Sequence, residues 1–100
     1  MAMRQWGFVY FAQGSDPGWN VTVADTGACK TVLVGLGRVE QVVAAAERLV
    51  EEGAELVELC GAFGPVWTAR VVDAVGARVP VGSVAYGAEA TRQLYDLFER

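Results

Sequence analysis

Four short apolar runs, each closed by glycine, constrain this chain more than any other feature in it. Residues 6–12 (WGFVYFA) are aromatic and β-prone, and Gln13-Gly14-Ser15-Asp16-Pro17-Gly18 ends them. Residues 31–36 (TVLVGL) are closed by Gly37, residues 56–60 by Gly61 and Gly64, and residues 79–86 (VPVGSVAY) by Gly87. Pro80, near the start of the last run, suits an edge position or the first residues of a strand. Runs of this length and composition read as strands.

Helical periodicity fills the gaps between them. In residues 39–52 the apolar positions Val39, Val42, Val43, Ala46, Leu49 and Val50 recur at helical spacing, and Gly53 supplies the stop. Pro65 suits a first helical turn, and Trp67, Val71, Val72 and Val75 continue one side as far as Gly76. Residues 88–99 repeat the pattern with Thr91, Leu94, Tyr95, Leu97 and Phe98. Residues 21–26 are ambiguous. Asp16-Pro17 reads as a helix start, whereas Val21, Thr22 and Val23 are β-branched and alternate weakly; the reading leans to a short helix.

The order is then β-(α)-β-α-β-α-β-α, an α/β fold occupying residues 1–100 as a single domain. Strands followed in turn by helices belong to parallel sheets covered by helices. Two closures satisfy right-handed crossovers. One is a small, mostly parallel, open four-stranded sheet with helices on both faces. The other is half of a (β/α) barrel that pairs with a second copy. The open sheet is favoured, because nothing in the sequence requires the obligate dimer of a half-barrel.

Composition mainly excludes. The chain has no histidine, which removes Ser-His-Asp and Cys-His catalysis, the usual zinc sites and the commonest general base near neutral pH. Cys29 and Cys60 have no metal-ligand spacing and are too few for a disulfide framework. The expectation is therefore no metal and no cofactor. A net charge of −4 without basic clusters argues against nucleic acid. No apolar run is long enough for a membrane span, and the stretch after Arg4 is too soon broken to be a secretory signal. A cytoplasmic protein is expected.

Ligands of open α/β sheets bind beyond the carboxyl ends of the strands, where helix N-termini also favour anions. That edge carries Gln13, Arg38, Gly61, Gly64 and Tyr86, which are the candidate ligand-binding residues, with Ser83 nearby. The run from Gly61 to Gly64 matches neither the dinucleotide fingerprint nor the P-loop, and glycines serve β-to-α turns whether or not a ligand exists. Glu58 shares a strand face with Leu56 and Cys60. It is a candidate general acid or base, or else the partner of an arginine from a covering helix, or an exposed edge residue. Cys60 is either a thiol activated by the Pro65 helix or a small apolar filler. Lys30, the sole lysine, falls at the wrong end of its strand for Schiff-base chemistry. Trp6, Trp19 and Trp67 read as core or subunit contacts.

The segments LVELCGAFGP and RVPVGSVAYG, preceded by VVAAAERLVEEGAELVE and by an N-terminal GFVYFAQGSDPG, carry a resemblance. The chain resembles an uncharacterised family of small bacterial α/β proteins, domain of unknown function family 6506, over nearly its whole length. The most specific segment is Glu58 to Gly64. The resemblance supports the fold and implies no activity. Element order alone also gives a fainter likeness to part of a (β/α) barrel aldolase or isomerase, which is analogy.

The expectation is a domain that holds a small anionic metabolite at the strand carboxyl edge. Glu58 or Cys60 is its chemical group if it is an enzyme, of isomerase or lyase type. The rival expectation is a non-catalytic oligomerising or protein-interaction module, and a homo-oligomer, first of all a dimer, is expected under either.

Overall fold

The computed structural model describes residues 2–18 and 20–99. The expectation for Trp19 lies outside them. The strands are β1 (Gln5–Phe11), β2 (Val21–Asp25), β3 (Lys30–Leu36), β4 (Val57–Leu59) and β5 (Val81–Ser83). The helices are α1 (Val42–Glu51), α2 (Gly64–Val75) and α3 (Thr91–Glu99), with single 3-10 turns leading into α1 and α3.

The sheet is open and mostly parallel, in the order β2-β3-β1-β4-β5. It has five strands where the sequence suggested four. The additional strand is β2, which pairs antiparallel with β3 from Val21 opposite Val34 to Asp25 opposite Lys30. The helix expected there does not form. Val21, Thr22 and Val23 lose little by becoming extended, and the free edge of β3 offers their backbone a ladder. The helical start at Asp16-Pro17 is instead a turn: the Asp16 carboxylate accepts the Gly18 N–H at 2.7 Å, and the Asn20 side chain accepts the Asp16 N–H at 2.7 Å.

That exchange changes how the sheet is covered. The connections β3–α1–β4 and β4–α2–β5 both advance in the same direction across the sheet. Right-handed crossovers therefore place α1 and α2 on one face. One cluster accordingly joins Val9, Val32, Val34, Leu36, Val57 and Leu59 of the sheet to Val42, Ala46 and Leu49 of α1 and Val71 and Val75 of α2. The step from β1 to β3 runs the other way, so a helix in it would have covered the opposite face. Since β2 takes that place, neither α1 nor α2 covers the second face.

α1 buries Val42, Ala46 and Leu49 of the predicted stripe, together with Ala45, while Val43 and Val50 pack at the margin of the core. Gly53 ends it with φ 110°, a left-handed conformation that suits glycine. The fourth apolar run is a strand only over Val81–Ser83; beyond it the Val84 N–H still donates to the Leu59 carbonyl at 2.9 Å, and the chain then turns toward α3. α3 differs from the other two helices, since no residue of it is buried. No helix among the described residues is long and apolar enough to cross a membrane.

Candidate functional site

The four parallel strands end together, bringing residues 12–15, 37–38, 60–64 and 83–87 to one edge of the sheet. The chain closes half of that edge itself. To reach β2, the segment after β1 passes over the end of β3. The Gly35 N–H donates to the Asn20 carbonyl at 2.8 Å, and the Ala12 N–H to the Leu36 carbonyl at 3.0 Å. The Ser15 carbonyl lies 2.5 Å from where a Cβ on Gly37 would stand, so the crossing needs glycine there. Gln13 and Arg38 flank this crossing and are exposed.

The other half, over β4 and β5, is open. Gly61, Gly64, Pro65, Ser83 and Tyr86 border a cleft of about 260 Å³. Its floor is the start of α2, where no side chain caps the helix and the first turn holds no acidic residue. Pro65 has no N–H, and those of Gly64 and Val66 have no carbonyl within the helix to bond, which leaves a partial positive charge at the cleft. Gly64 takes φ 73° at this start. The Thr68 hydroxyl turns back along the helix to donate to the Gly64 carbonyl at 2.7 Å. Opposite, the Val84–Leu59 hydrogen bond fixes the Ser83–Tyr86 segment.

A second depression of about 440 Å³ continues past Gly61 and Tyr86 beneath α3. Cys60, Ala62, Leu94, Leu97 and Phe98 complete it, and its lining is predominantly apolar. The two hollows meet at Gly61. A Cβ there would stand 3.2 Å from the Val84 carbonyl oxygen and 3.3 Å from the Tyr86 ring.

The sequence candidates thus separate. Gly61, Gly64 and Tyr86 come together, with Ser83 beside them. Arg38 follows β3, which β1 separates from β4, so it stands about 10 Å away by strand spacing. Glu58 lies on the sheet face that α1 and α2 leave open, opposite Phe8 and Gly82 in the strand register, in a shallow hollow with Leu56 and Pro80. That hollow shares no residue with the cleft. The arginine partner considered for Glu58 is not found: the ion pairs among the described residues are Arg48–Glu52 and Arg92–Asp96. α1 and α2, which could have supplied one, pack on the opposite face.

Cys60 packs against the core, and its Sγ accepts the Phe11 N–H at 3.2 Å, so the thiol helps tie β4 to β1. Lys30 begins β3, at the end of the sheet opposite the cleft. Trp67 is packed against the core, with the Arg70 guanidinium 4.3 Å from its ring centre. Among the described residues no three of Cys, Asp and Glu converge as a metal site would need. The residues that sequence reasoning missed are Leu94, Leu97 and Phe98, whose place at the rim depends on the path of the chain after β5.

Residues 4–99 match the model of a family of unknown function, DUF6506. The chain belongs to this family. No curated protein and no solved structure gives a significant match. Membership in DUF6506 spans the open cleft, the self-closed half and α3 alike, and it carries no activity with it.

Proposed function

We propose that this DUF6506 chain binds a small anionic metabolite in the cleft between the start of α2 and the Ser83–Tyr86 segment. The observation that carries this reading is the uncapped N-terminus of α2, free of acidic residues and facing a cleft whose opposite wall offers the Ser83 hydroxyl. Backbone N–H groups and a hydroxyl are the donors a phosphate or carboxylate needs. The volume lies slightly below the range of drug-sized pockets, so the ligand is small.

The reading is one of binding. Isomerase or lyase chemistry requires a proton-transferring group at the ligand, and the titratable side chain bordering the cleft is Tyr86. Glu58 lies elsewhere, and Cys60 borders the apolar hollow.

A thermal-shift series with inorganic phosphate, sulfate, small carboxylates and sugar phosphates tests it. A ligand at 100 times its Kd stabilises by about 2.7 kcal/mol, several degrees for a chain of this size. Ser83→Asp puts a negative charge into the cleft from an exposed position and should remove the shift while preserving the melting temperature of the free protein. No shift with any anion, or a shift that survives Ser83→Asp, overturns the reading.

A further inference from the structure

The sheet face that α1 and α2 leave open is an apolar surface, and among the described residues no helix packs across it as they do on the other side. At its centre lie Trp6, Phe8 and Tyr10 of β1 and Leu33 of β3, which pairs with Phe8 in the register. Trp6 and Phe8 meet edge to face with ring centres 6.5 Å apart. Tyr10 folds over Gly35, its ring 2.6 Å from where a Cβ would stand. All four are half-buried, and none belongs to the core on the other side. Mostly parallel sheets are ordinarily covered on both faces, and the crossover that should have supplied this cover is β2.

The two strands at its centre, β1 and β3, place no charge on it. Glu58 stands directly beside Phe8 on β4, and Thr22 stands on the edge strand β2. Aromatic residues at the centre are what buried contacts favour, and the Glu58 carboxylate beside them has to keep its water or meet a polar group across the contact.

Area indicates how much of the chain takes part. The strands together give a flat footprint of roughly 400 Å², whereas stable interfaces bury about 800 Å² per partner. The face alone falls short. α3 supplies further apolar surface: Tyr95 is 61% exposed and Phe98 78%. The hollow beneath α3 reaches Cys60, the residue that follows β4, so helix and sheet adjoin at that edge.

We propose that a second copy of this chain covers both surfaces, as a two-fold homodimer. The open sheet faces stack on each other, α1 and α2 lie outside, and α3 of each copy packs against its partner. A two-fold contact uses the same patch on both copies, and a face centred on β1 with an adjoining helix provides such a patch. The inference does not rest on anion binding, because the Ser83 cleft lies at the start of α2.

Sedimentation equilibrium of the full-length protein, followed over a dilution series, tests it. The wild type should have the mass of two chains. Phe8→Glu should reduce it to one chain with an unchanged far-UV circular dichroism spectrum, since Phe8 packs outside the core. Phe98→Ser should weaken association at least about tenfold, as loss of a well-packed aromatic anchor does. Val66→Ser, at a 62% exposed position on the outer side of α2, should leave it unchanged. If Phe8→Glu fails to fold, Leu33→Lys places a charge at the same spot from the neighbouring strand. A wild-type monomer at every concentration, whether the face is bare or covered by its own α3, overturns the proposal. So does a dimer indifferent to both face substitutions, or a mass of three chains or more.

Discussion

Leu49 of α1 occupies the space that a side chain on Gly7 of β1 would need, its Cδ1 standing 2.7 Å from the position of a Cβ. The packing of Leu49 over the central strand thus depends on the absence of a side chain at Gly7. Gly7→Ala should cost about 1–3 kcal/mol, the usual penalty for overfilling a packed core. Gly82→Ala on β5, where a Cβ meets nothing within 4 Å, should cost nothing measurable. Urea unfolding midpoints of the two variants give the comparison, and equal midpoints would contradict the packing described.

The crossing of Ser15 over Gly37 gives a local prediction. Gly37→Ala must displace the Ser15 carbonyl and loosen the segment that closes β3. The Gly35 amide, bonded to the Asn20 carbonyl, should then exchange its hydrogen at least about tenfold faster, because local opening carries its own free energy. The Val9 amide in the buried centre should be unaffected. Exchange followed by NMR resolves both.

Gly61 lies where the polar cleft and the apolar hollow meet. Gly61→Ala should push the Tyr86 ring aside and narrow both openings. The loss of stability should be about 1–2 kcal/mol, since the exposed ring can move aside but the Val84 carbonyl oxygen, 3.2 Å from the new Cβ, belongs to a backbone held by its bond to Leu59. Anion-induced stabilisation should fall in the same variant. Unchanged anion stabilisation would separate the ligand from this part of the edge.

The ion pairs Arg48–Glu52 and Arg92–Asp96 are both four residues apart on helices, with side chains more than half exposed. Each should contribute no more than about 0.5 kcal/mol. Arg92→Ala should therefore leave the melting temperature within about a degree or two of the wild type. A larger drop would show that Arg92 has a further partner.

Much of this architecture was legible because periodicity and punctuation agree. Val42, Ala46 and Leu49 at helical spacing, with Gly53 behind them, define α1; Gly64-Pro65 and Gly76 bracket α2; and the glycines after each strand mark the edge where the cleft lies. Residues 16–26 misled because two local signals compete. Asp16-Pro17 resembles a helix start, and Val21-Thr22-Val23 resembles a strand. The free edge of β3 decided between them, and no local pattern reports such an edge. For Glu58, alternation along β4 assigns a face but does not tell which face the helices cover, so its three readings could not be separated from sequence. Gly61, Gly64 and Tyr86 were found together because parallel strands must end together. Gln13 and Arg38 share that edge but flank the half that the chain closes over β3, and alternation along a strand does not reveal which half stays open.

β1 precedes the other four strands of the sheet in the chain and lies at its centre, between β3 and β4. Its second neighbour, Val57–Leu59, comes after more than half of the chain. On a ribosome, the segment with Trp6, Phe8 and Tyr10 must therefore emerge and wait, with one side unpaired, until β4 follows. Pairings this distant in sequence slow folding, because the intervening loop must close before the contact forms. The same aromatic strand that gives the finished molecule its open face is thus the segment most in need of protection while the protein is being made.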